Sequence, residues 1–173
     1  MNYPRTKNAV NVASTFLGTL TESNPEVESY LVSYLLVTLY AEYEQKIGLL
    51  VARRCARTQD IPLKNFVQKK AKCGTESDLV NDSRKSGHIR IADLNDILGS
   101  FSENYKKTFT KKVLDTEMHR AWDDVVNNRI DVCHRQGSNM TLRDFIQSFD
   151  NSCHVLDTFA EALELTLQEI ADL

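Results

Sequence analysis

The chain has 173 residues, 42% of them hydrophobic, and a formal net charge of -3. That is enough apolar material for a single domain over residues 1–173 with a real core, and it excludes a disordered tail. The most apolar run, Tyr30 to Ala41, is broken by Ser33 and Thr38 and bounded by Glu28 and Glu42, well short of the roughly 20 residues that a bilayer span needs.

Ala9, Val12, Ala13, Phe16, Leu17 and Leu20 recur at helical spacing, which predicts an N-terminal helix over about 6–21 with one apolar face. Asn24, Pro25, Glu26 and Glu28 then form a start signal: an N-cap, a proline suited to the first helical position, and acids at the positive helix end. Leu31, Leu35, Leu39, Tyr43, Ile47 and Leu50 follow at steps of three and four, so a long packing helix is expected to about Arg57. Glu44 lies near its packed face. Asp60-Ile61-Pro62 restarts a shorter helix that Gly74 ends, and residues 74–90 read as a mobile loop. From Arg53 to Arg90 there are ten Lys or Arg against four Asp or Glu; the local balance is +6 and the rest of the chain carries -9. Such a separation suits a nucleic-acid surface or simply a solvated face.

Ile91, Leu94, Ile97 and Leu98 predict a short helix closed by Gly99. Ser102 and Glu103 open another, on which Lys106, Lys107, Lys111 and Lys112 form a second positive cluster. A helix from about Asp115 to Arg135 comes next. Thr141 and Asp144 make a capping box, and a stripe of Phe145, Phe149, Cys153, Leu156, Ala160, Leu163, Leu167 and Ile170 marks the final helix. Cys55, Cys73, Cys133 and Cys153 show no C-x-x-C spacing and nothing at the N-terminus reads as a signal peptide, so a cytoplasmic protein with free thiols is expected. Cys133-His134 and Cys153-His154 resemble ligand pairs, but neighbours on a helix diverge by about 100°, which disfavours a shared ion. No metal or cofactor is expected.

The helix of residues 115–135 carries a conflict. At about 100° per residue, Met118, Trp122, Val125, Val126, Val132 and Cys133 all fall within roughly 60° of Arg129, so a permanently charged guanidinium stands on the apolar stripe. It needs an acidic partner, for which Glu44 is the candidate, or an anionic ligand such as a phosphate. His134 lies five residues on, and Asp131 sits three residues before it, within reach on a helix.

Asn128-Arg129, His134 and Gly137, followed by the helix opening Thr141-Leu142-Arg143-Asp144-Phe145, resemble the Arg-x4-6-His motif of HEPN domains, the higher eukaryote and prokaryote nucleotide-binding domains. The RiboL-PSP type is the nearest in pattern. Tyr40 to Glu44, Ile91 to Leu98 and the long last helix fit the same order, so the resemblance spans about residues 24–170. It implies an all-α, HEPN-like bundle with two long antiparallel core helices plus shorter ones. It further implies metal-independent RNA cleavage by 2′-hydroxyl attack, with Arg129 and His134 catalytic and Asn128, Asp131 and Glu44 supporting. A homodimer with a composite cleft and a cognate antitoxin partner, in a toxin or phage-defence setting, go with it. Two positions depart from the family pattern: Ile130 stands where Asn, Asp or His is common, and Gln136 where the branch paired with nucleotidyltransferases carries tyrosine. Ile130 leaves a second reading open, a silent module that binds RNA, nucleotide or protein.

Because Arg129 and His134 are about 7.5 Å and roughly 140° apart on an ideal helix, they converge only if the helix breaks before His134 or if two chains pool their motifs.

Overall fold

A computed structural model describes residues 1–57 except 21 and 23, residues 89–134 with only the backbone of His134, and residues 138–170 except 167 and 169. Among the described residues all regular structure is helical: α1 (Pro4–Thr19), α2 (Pro25–Ala56), α3 (Ile91–Phe101), α4 (Glu103–Val113), α5 (Glu117–His134) and α6 (Leu142–Ala162). The helix expected near 60–74 and residues 74–88 of the loop expected over 74–90 lie outside the described residues, as do Cys73, Arg135, Gln136 and Gly137; Ile89, at the end of that expected loop, is buried. No described helix is long and apolar enough to cross a membrane.

Local signals set most helix ends. Asn24 accepts the Val27 amide at 3.1 Å with Pro25 in the first turn. Ser102 accepts from Asn104 at the head of α4, and Thr141 and Asp144 form the reciprocal box that opens α6. Three expected boundaries move. Gly99 does not end α3, which runs on to Phe101 until Ser102 leaves the helical region to cap α4. The motif helix starts at Glu117 rather than Asp115, because Asp115 has a φ of 63°, a left-handed conformation that cannot continue a helix. The last helix stops at Ala162, and Glu164, with a φ of 57°, turns the chain before Leu165 returns to the core.

Contacts fix the helix directions. Tyr40 meets Arg129 and Tyr43 stacks on Trp122, so α2 and α5 are the antiparallel core pair. The final helix runs the other way: Glu28 accepts the Leu142 amide, Tyr43 reaches Ser152, and Arg57 donates to the Glu164 carbonyl, so α6 is parallel to α2. α3 and α4 fold back on each other at one end, with Thr110 bonded to Asn95 and Phe109 set edge-on against Phe159 of α6. The core is continuous through Leu35, Leu39, Tyr43, Ile47, Leu94, Trp122, Val125, Leu156 and Phe159, all fully buried or nearly so.

The start of α1 has no side-chain cap of its own. Glu42 of α2, 4% exposed, provides one: its carboxylate accepts the amides of Arg5 and Thr6 at 3.1 and 3.0 Å and the Thr6 hydroxyl at 2.6 Å. A carboxylate among the first free amides of a helix is well placed against the positive end of the dipole. Tyr3 then wedges edge-on against Tyr43 and Phe149, with the Lys46 ammonium 4.8 Å from its ring centroid. The outer side of α1 behaves differently from expectation: Ala13 is buried, but Val12 and Phe16 are 61% and 48% exposed.

Candidate functional site

The middle of α5 is anchored by Trp122, fully buried and stacked on Tyr43 with ring centroids 4.6 Å apart. Val125 and Val126 fill the next turn. One turn further, where the apolar phase continues, stands Arg129. It is half-buried, and its guanidinium lies 5.0 Å from the centroid of the Tyr40 ring. A flat, weakly hydrated cation over an aromatic face is a favourable way to hold a charge out of bulk water.

Tyr40 is itself fixed. Its ring is 2% exposed, and its hydroxyl accepts the Ile89 amide at 2.5 Å. The Trp122 indole N–H donates to the Ile89 carbonyl at 3.0 Å, so both backbone groups of one residue are held by side chains from α2 and α5. Burial pushes the Tyr40 hydroxyl well above its usual pKa, and it stays protonated across the physiological range.

Glu44 is the acidic neighbour. Burial raises its carboxyl above the ordinary range and the Arg129 charge pulls it back down. The half-buried acid and the guanidinium therefore feel each other. Asp93, which accepts the Arg90 amide in the first turn of α3, adds a further negative charge facing Tyr40.

The other expected residues are distributed along α5. Asn128 donates its side-chain amide to the Asp124 carbonyl at 2.9 Å, so part of its capacity is spent on its own helix. Asp131 is half-buried, and Ile130 packs against the core. Cys133, placed by periodicity on the apolar stripe, is exposed instead. His134 closes α5, and its side chain lies outside the described residues. Helix α5 is unbroken through His134, so no break before the histidine brings Arg129 and His134 together. Among the described residues no group of three or more His, Cys, Asp or Glu could hold a metal ion.

Sequence reasoning missed Tyr40 and the Ile89 clamp. The available signal was the i, i+4 spacing of Tyr40 and Glu44, which puts an aromatic ring and an acid on one face of α2.

The family model for RiboL-PSP-HEPN matches residues 5–165, nearly the whole chain, from the first turn of α1 to the turn after α6. The chain belongs to the RiboL-PSP HEPN family. No curated protein and no solved structure matches it. In this HEPN domain Arg129 is seated on an aromatic ring and flanked by an acid, at the edge of the core rather than within it.

Proposed function

We propose that this HEPN domain is a metal-independent endoribonuclease. The observation that carries the reading is the seat of Arg129: a permanent cation on the Tyr40 face, half-open to solvent, in the same helix as His134. In the reaction the ribose 2′-oxygen bonds to the adjacent phosphorus as the bond from phosphorus to the 5′-oxygen breaks. The 2′-hydroxyl proton passes to a base and the leaving 5′-oxygen takes one from an acid. His134 serves this proton transfer, assisted by Asp131, while Arg129 binds the phosphate and stabilises the charge that grows on its oxygens. The products are a 2′,3′-cyclic phosphate and a 5′-hydroxyl. DNA, lacking the attacking hydroxyl, is not cut.

The two motif positions are five steps apart on an unbroken helix, which supports a homodimer that pools both motifs in one cleft. A toxin or phage-defence role with a cognate protein antitoxin completes the reading, in the cytoplasm. One observation favours the alternative of a silent binding module: Ile130, next to the motif arginine, is used for packing and brings no polar group. Labelled RNA incubated in EDTA with the wild type, Arg129→Ala and His134→Ala separates the two. Cleavage lost in both variants supports the nuclease; retention of RNA by the wild type without product supports the binding module.

A further inference from the structure

Between α5 and α6 lies a groove of about 360 Å³. Helix α5 lines it with Glu117, Arg120 and Asp124 around the small Ala121, and α6 with Asp144, Gln147 and Asn151 around the small Ser148. Three carboxylates against one guanidinium leave it a net charge of -2. Glu117, Arg120 and Asp124 are about 120°, 180° and 140° round α5 from Arg129, so the groove opens on another face than the proposed nuclease site.

Its polar groups are unused. Arg120 follows Glu117 by three residues and precedes Asp124 by four, spacings at which ion pairs form on a helix, yet neither pair closes. Among the described residues the side chains of Glu117, Arg120, Asp124, Gln147 and Asn151 make no hydrogen bond or ion pair. Burial raises the Asp124 carboxyl and its neighbour Asp123 raises it further, with no cation drawing it back as Arg129 does for Glu44.

The floor carries a second, independent sign. Ser33, Ser100, Ser152 and Thr158 each return the hydroxyl to the carbonyl four residues back, a common way for a helix to absorb such a group. Ser148 does not. It is 8% exposed, and its hydroxyl makes no hydrogen bond among the described residues. Positions 144, 147, 148 and 151 form one face of α6, and Ser148 lies in the middle of it, on the groove. A nearly buried hydroxyl without a partner is costly, and the partner within its reach is whatever enters the groove.

The chemistry of the lining selects the ligand. A net negative groove repels phosphate, and no aromatic ring lines it to stack a base. Its carboxylates are not grouped closely enough to hold a metal ion, so the cation must be extended and reach several acceptors at once. A guanidinium does this: it is planar, has five donors in a fixed fork, and is weakly hydrated, which suits a half-enclosed site. Ala121 and Met140 offer apolar surface for the methylene stem. We propose that the groove between α5 and α6 is a binding site for a guanidinium on an aliphatic stem, either an arginine side chain of a partner protein or a free small cation. The site is independent of the nuclease reading.

NMR titration of the whole chain tests this, read on the side-chain amides of Gln147 and Asn151. L-argininamide should shift them saturably, and citrullinamide, the neutral isostere with the same α-amine, should bind at least tenfold more weakly. Asp124→Asn and Ser148→Ala should each weaken argininamide about tenfold while leaving the melting temperature nearly unchanged. Agmatine beside a capped pentapeptide with a central arginine separates the sources: a peptide tenfold tighter assigns a protein partner, and a peptide no tighter assigns a free cation. Equal binding of citrullinamide, wild-type affinity in both variants, no saturable shift at tens of millimolar, or guanosine shifting the same amides more tightly than argininamide would each overturn the proposal.

Discussion

Two glutamates stand two residues apart on α2 and do opposite things. Glu42 is 4% exposed, and every donor around it is used: two amides and a hydroxyl from the start of α1. Its charge is spent on the head of α1. Glu44, about 200° round the helix, is half-buried with a raised carboxyl and a guanidinium as its electrostatic neighbour. The first is an acid that the fold requires. The second holds a cation at the surface in a state that an incoming anion can alter. The two acids differ less in being buried than in how fully their partners are satisfied.

Removing the bound acid should cost the most. Glu42→Ala leaves two amides and a hydroxyl at the head of α1 without their acceptor, and takes from the nearly buried Lys46 the larger of the two carboxylate charges that act on it, the other being Asp157. Breaking such an arrangement costs about 3–5 kcal/mol, which for a chain of this size lowers the melting temperature by roughly 10 °C. Chemical and thermal unfolding would measure it. A loss below about 1 kcal/mol, the scale of a single exposed ion pair, would mean that α1 is held by its apolar contacts and that the contrast between the two acids is false.

Removing the cation beside Glu44 should leave the fold and remove the chemistry. Arg129→Ala is expected to lower RNA cleavage about 10²- to 10³-fold, the usual loss when a donor to developing charge is deleted, with little change in melting temperature. Next in size come the changes at Tyr40. Tyr40→Phe keeps the ring under Arg129 but strips the Ile89 amide of its acceptor, a cost of about 1–3 kcal/mol in stability, with cleavage close to wild type. Tyr40→Leu loses the ring as well, and with it a cation–π contact of about 0.5–2 kcal/mol, so cleavage should fall about tenfold further. If the two variants lose cleavage equally, the ring does not position the guanidinium.

Sequence reading succeeded where the determinants are local. Asn24, Ser102 and the Thr141–Asp144 pair announce their helices because a cap and its amides lie within three residues of each other. Arg129 was visible as a breach of an apolar period, and Glu44 as an acid near the packed face of α2. The Glu42 cap of α1 and the Tyr40–Ile89 clamp were not visible, since each joins residues 36 to 49 positions apart across a contact that only the fold creates. Cys133 shows the same limit in reverse: the period puts it on the stripe, but whether a position on the stripe is covered depends on tertiary contacts that the period does not carry.

The smallest effect probes Glu44 directly through pH. Its carboxyl is raised in the folded protein, burial outweighing the attraction of Arg129, so the native state holds the proton more tightly than the unfolded chain. The stability linked to that proton is complete below the ordinary glutamate pKa of about 4.3 and is lost as pH rises through the folded value. Glu44→Gln has no such loss. It should therefore be the more stable protein at pH 7, and the gap to wild type should close as pH falls toward the ordinary glutamate range. RNA affinity should follow the same curve, because an ionised Glu44 competes with phosphate for Arg129 and a glutamine does not. A Gln variant that is less stable than wild type at pH 7 would show that the attraction to Arg129 outweighs burial, making Glu44 a second structural acid like Glu42.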